Sequence, residues 1–189
     1  MALFSLFDPR LMYLILLPVC ALLCAAGAVF LLKVDKENLS RLEKLPRAQL
    51  AGAVLGLIDL LWCIPNAMPI LPESLHRFLL PLALLLGILA YCALDHLLSR
   101  AIGGFMILCA HFFLKESFAT PTAGAPVFAT FCLIFGTIGI FLSGKPHLTR
   151  DIIRLGITKY RLLTPVFLLL FALISLTTLI LNLSGGKAA

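Results

Sequence analysis

The chain has 189 residues, 61% of them hydrophobic and 13% charged, with a formal net charge of +6 and a mean hydropathy of +1.09. Soluble domains are about half apolar and about a quarter charged, so this composition excludes an ordinary globular protein and expects lipid as its solvent. The basic residues collect in two short loops, which sets nucleic acid aside as a partner and makes the charge a topology signal.

Six apolar segments follow in order, at 11–32, 48–70, 78–94, 101–114, 127–142 and 162–183. About 20 residues cross a bilayer as a helix. The first run, Leu11 to Leu32, follows Arg10 like a signal peptide, but it is too long and lacks a small-residue exit before Lys33. It reads as a spanning helix. The second and sixth also qualify outright. The third and fifth need about one more turn, and the fourth spans only if Leu97, Leu98 and Phe118 join it, with Arg100 and Lys115 reaching to the interfaces. The expected fold is therefore an all-α integral membrane protein, one compact bundle of six transmembrane helices forming a single domain over residues 1–189. The alternative is four spans plus a re-entrant hairpin made by segments three and four.

Lys33, Lys36, Arg41, Lys44 and Arg47 occupy loop 33–47, and Lys145, Arg150, Arg154, Lys159 and Arg161 occupy loop 143–161. Six spans put both loops on one side together with Arg100, leaving only Arg10, Arg77, Lys115 and Lys187 opposite. The positive-inside rule then expects a bacterial cytoplasmic (inner) membrane, with both loops cytoplasmic and both termini outside. Within the second loop, Thr149 caps a basic amphipathic helix near 149–161. Ile152, Ile153, Leu155, Ile157 and Tyr160 fall on one face and Arg150, Arg154 and Arg161 on the other. Such a helix lies in the headgroup plane and draws anionic lipid headgroups. The outer connections, Ile64 to Pro72 and Thr120 to Pro126, are rich in proline and should be turns.

The second segment carries the most informative residue, Asp59. At about 100° per residue it shares a wedge of roughly 80° with Ala48, Gly52, Gly56 and Cys63, while Leu50, Val54, Leu57 and Leu61 point away. A carboxylate on the small-residue face of a membrane helix points at protein and is a functional candidate. With Trp62 at the outer interface, this helix should end near Ile64 and hold Asp59 in its outer half. Counting outward from Arg47 and Arg100 brings Asp59 and His111 to similar depth, roughly 17 Å from those anchors, so the two are expected to pair inside the bundle. A third polar strip, Ser175, Thr178 and Asn182, follows helical spacing on the last segment and is weighed against simple helix packing.

Gly52 with Gly56 and Gly139 with Ser143 repeat a small-x-x-x-small spacing that lets helix backbones approach. The six cysteines all lie in apolar segments without metal-ligand or CxxC spacing, so they read as small buried packing residues, and no metal is expected. His111 has no second histidine at matched depth for a haem, and no nucleotide, zincin or serine-hydrolase motif is present. No cofactor and no catalytic activity are expected. What is left is a small polytopic protein serving as a subunit or assembly partner, in a homo-oligomer or membrane complex. The alternative is a small ion- or proton-coupled transporter or channel-like module that uses Asp59 and His111.

Overall fold

The computed structural model describes residues 9–33, 48–119, 125–145 and 163–185. Among them are six helices and no strands: α1 (Pro9–Lys33), α2 (Gln49–Ala67), α3 (Glu73–Ala93), α4 (Leu97–Ala119), α5 (Ala125–Gly144) and α6 (Leu163–Gly185). All six are long and apolar enough to cross a membrane. Helices α3 and α4 run 21 and 23 residues without interruption. At 1.5 Å per residue each exceeds the roughly 30 Å of a hydrocarbon core, so segments three and four are each long enough for a full span. Leu97, Leu98 and Phe118 all join α4. The amphipathic helix expected at 149–161, with Arg150, Arg154 and Arg161, lies outside the described residues, as does most of the 33–47 loop.

The chain divides into two compact units. The first is built from α1, α6, the second half of α4 and the first half of α5. Here α1 buries Leu17, Cys20, Ala21, Cys24 and Ala28, a stripe at spacings of three and four, and α6 buries Phe171, Ala172, Ser175 and Thr178. These two helices pack along each other. An aromatic cluster closes the unit: Tyr13 meets Phe113 edge-on at 6.0 Å, and Phe113 meets Phe128 at 5.7 Å.

The second unit is built from α2, α3, the first half of α4 and the second half of α5. Glycines set its crossings. A Cβ on Gly52 would stand 2.7 Å from the Leu97 carbonyl carbon, and one on Gly56 would meet the Ala101 Cβ at 3.8 Å. One on Gly104 would stand 3.1 Å from Asp59 Oδ2. The rising order 52, 56, 59 against 97, 101, 104 means that α2 and α4 run parallel. Helix α5 crosses α4 the opposite way. A Cβ on Gly103 would lie 2.6 Å from the Gly139 carbonyl oxygen and 2.7 Å from the Ser143 nitrogen, and one on Gly136 would lie 3.0 Å from the Ala110 Cβ. Gly52, Gly103 and Gly139 thus stand at crossings where a missing side chain lets backbones touch, with Ser143 against Gly103, whereas Gly56 makes only an ordinary contact with Ala101.

Two tight connections hold α2, α3 and α4 in sequence. Helix α2 continues past Ile64, carries Pro65 inside its last turn and stops at Ala67. The Nε2–H of His76, in the first turn of α3, donates to the carbonyls of Met68 at 2.9 Å and Leu71 at 3.0 Å, stapling the turn. Between α3 and α4 the chain reverses through Leu94, Asp95 and His96, and His96 takes a left-handed φ of 57°. Asp95 and His96 serve here as a turn.

Candidate functional site

Asp59 stands ten residues after the first residue of α2 and eight before its last, close to the middle of the helix. Ending the helix at Ile64, as the sequence suggests, would put Asp59 in the outer half, and the extra turn through Pro65 shifts that balance. Its side chain is only 8% exposed, whereas Leu50, Val54 and Ile58 on the opposite side are 76%, 62% and 49% exposed. The carboxylate is turned toward protein. Leu57 is turned inward as well: its Cδ1 would lie 3.5 Å from a Cβ on Gly87 of α3.

The space beside Asp59 is open. A cavity of about 170 Å³ is walled by α2, α3 and α4, with Gly52, Gly56 and Gly87 giving it room and Asp59 and Arg100 giving it charge. The Oδ1 atom of Asp59 has no hydrogen-bond partner among the described residues, and neither does the Nε of Arg100. Arg100 is anchored by its other end, its Nη1 donating to the Ser143 carbonyl at 3.4 Å. Ser99 Oγ donates to the neighbouring Leu142 carbonyl at 3.4 Å. These two carbonyls belong to the last turn of α5, where backbone acceptors have no partner within the helix. Arg100 therefore caps α5, lines the cavity and keeps a buried Nε–H without a partner among the described residues.

An acid and a base in one apolar hollow, each with an open valence, form a site of two chemistries. The carboxylate accepts from a donor or balances a cation, and the guanidinium donates to an acceptor or balances an anion. Among the described residues, no group of three or more His, Cys, Asp or Glu side chains gathers where a metal ion could be held.

The other residues singled out by sequence fall elsewhere. His111 belongs to the first unit, two turns beyond Gly104 on α4, and its side chain is exposed. Asp59 belongs to the second unit, so the expected pair is not part of either. Ser175, Thr178 and Asn182 lie on α6 in the first unit. Thr178 Oγ1 donates to the Ile174 carbonyl and Asn182 Nδ2 to the Thr178 carbonyl, each at 2.8 Å. The Asn182 side chain also hydrogen-bonds Tyr13, and Ser175 Oγ is buried without a partner among the described residues. This strip ties α6 to itself and to α1. Four cysteines are buried, but Cys63 and Cys92 are exposed, so the packing role expected of all six does not extend to these two.

Sequence reasoning missed Arg100, Gly87 and Tyr13 as site or packing residues. Charge counting makes Arg100 a topology anchor, and its position beside a serine at the start of a weak span is the signal that could have marked it. No protein family, curated protein sequence or solved structure matches the chain.

Proposed function

We propose that this protein is a small membrane transport or binding module that takes a polar or ionic ligand at Asp59. One observation carries the reading: a nearly buried carboxylate, with an unpartnered oxygen, on the wall of a cavity that also holds Arg100. A charge retained for structure inside a membrane is paired, because an unpaired buried charge is strongly destabilising. Asp59 borders a cavity and keeps an oxygen without a partner among the described residues, which suits a group that waits for a partner from outside the chain.

The setting rests on charge distribution. The basic loops 33–47 and 143–161 face the cytoplasm of a bacterial inner membrane, the termini face outward, and Arg150, Arg154 and Arg161 meet anionic headgroups. A second reading, a subunit of a homo-oligomer or membrane complex, is supported by α3. Of its 21 residues only Ala83 is buried, so nearly the whole helix is available to a partner or to lipid.

The test is aqueous access to the cavity. Cys63 and Cys92 are replaced by alanine, the four buried cysteines are kept, and a cysteine is introduced at Ala90, which lines the cavity, or at Ile102, which is 39% exposed. A charged, membrane-impermeant thiosulfonate should modify Ala90→Cys at least tenfold faster than Ile102→Cys. Equal rates would mean a dry cavity and would leave the subunit reading in its place.

A further inference from the structure

The Asp59 cavity continues into a second hollow of different character. Ala53, Leu57 and Gly87 wall both, and the second, about 270 Å³, is completed by Leu84, Ile88 and Tyr91 between α2 and α3. Those three side chains are 45%, 66% and 42% exposed, so this hollow opens on the outer surface of α3. None of the described residues lining it is charged. One end of the combined space is therefore lined by residues of both charge signs, and the other by hydrocarbon and a tyrosine ring.

This pattern selects among ligand classes. A simple cation at Asp59 would be repelled by Arg100 in the same wall, and a simple anion at Arg100 by Asp59. A zwitterion satisfies both. The carboxylate sits against Gly104, and Arg100 is one turn earlier on α4, about 6 Å along the axis. At about 30 Å³ per water, the inner cavity holds roughly five or six waters, the scale of a zwitterionic head and too large for a bare ion. The apolar groove supplies what a free water-soluble zwitterion would not use, a path for an acyl chain out to the bilayer.

Resting on the reading of Asp59 as a ligand site, we infer that the ligand is a zwitterionic phospholipid, with its ammonium at Asp59, its phosphate toward Arg100 and a chain along Leu84 and Ile88. The head would then lie about 15 Å from the start of α2, near the middle of that span.

The full-length protein in detergent is titrated with dioctanoyl phosphatidylethanolamine, dioctanoyl phosphatidylglycerol and soluble phosphoethanolamine, with binding read by native mass spectrometry and thermal shift. The ethanolamine lipid should bind saturably and at least tenfold more tightly than the glycerol lipid. Asp59→Asn and Arg100→Gln should each weaken it at least tenfold. Ile88→Trp changes only an exposed position in the groove, so it leaves the fold intact and should weaken the lipid while leaving phosphoethanolamine unaffected. Equal affinity for the two lipids, or an Asp59→Asn protein that binds as well as wild type, would overturn the inference. So would binding of phosphoethanolamine without binding of the lipid, which would identify a soluble zwitterion as ligand. Should Ala90→Cys be reactive while no ethanolamine lipid binds, the lipid inference alone falls. Should Ala90→Cys also be unreactive, the ligand site itself falls with it.

Discussion

Replacing Gly52 by alanine should separate α2 from α4, whereas the same change at Gly56, one turn away, should not. The added Cβ at position 52 would stand 2.7 Å from the Leu97 carbonyl carbon and 2.9 Å from the Leu98 Cα. Carbon atoms rest at about 3.5–4.0 Å, so the backbones must part by about 1 Å, and neither contact is a side chain that can rotate aside. Overpacking of this kind costs about 1–3 kcal/mol. Alanine's better helix propensity returns at most about 1 kcal/mol. At Gly56 the new Cβ would meet the Ala101 Cβ at 3.8 Å, an ordinary contact, so only the propensity gain remains. The two variants should differ by about 2 kcal/mol, with Gly56→Ala at least as stable as wild type. Reversible unfolding from mild detergent into SDS, followed by circular dichroism, measures that difference. Equal midpoints for the two variants would show that α2 and α4 are not in backbone contact at Gly52 and would refute the register on which the site is built.

Two further substitutions probe the site and its frame. Asp59→Asn should unfold within about 1 kcal/mol of wild type or later, because Oδ1 has no hydrogen-bond partner among the described residues to lose; a loss above about 2 kcal/mol in the same SDS titration would make Asp59 a structural residue. His76→Leu removes the donor shared by the Met68 and Leu71 carbonyls and should cost about 1 kcal/mol. Faster amide exchange confined to residues near 68–75 is the expected signature, and unchanged exchange there would show that the histidine does not hold the turn.

The spans were legible because their apolar runs approach bilayer length, and α4 shows where that signal thins. Its apolar stretch covers only 101–114, yet the helix runs from Leu97 to Ala119. Hydropathy charges Ser99 and Arg100 as if they faced lipid, while in the fold both donate to the carbonyl end of α5. A tertiary hydrogen bond leaves no trace in a window average. The face of Asp59 was legible for a different reason: helical periodicity alone places Gly52, Gly56 and Asp59 together, and these three meet α4. Its neighbour was not legible. Depth counting treats Arg47 and Arg100 as equivalent interface anchors, which pairs Asp59 with His111. In the fold Leu97 and Ala101, on either side of Arg100, meet Gly52 and Gly56, so Arg100 stands within the span of α2 and Asp59 lies level with Gly104. Register between helices depends on which small residues interlock, and a count from loop charges does not contain that information.

The glycines around Asp59 separate packing from space. Gly52 has to be glycine because backbone fills the place of its side chain. Gly56 and Gly87 are different: a Cβ at either would find ordinary contacts of 3.5–3.8 Å, so close helix approach does not require them. Both line the cavity that holds Asp59 and Arg100. In a helix an unneeded glycine is unfavourable by up to about 1 kcal/mol relative to alanine, and an unfilled hollow forfeits the dispersion contacts its walls would otherwise make. A sequence shaped by packing alone would hold larger residues at both positions and close the hollow over the charges. Two dispensable glycines beside a carboxylate and a guanidinium that each hold one atom without a partner among the described residues are the pattern expected when the volume itself is used, and this is why the cavity, more than the carboxylate alone, carries the functional reading.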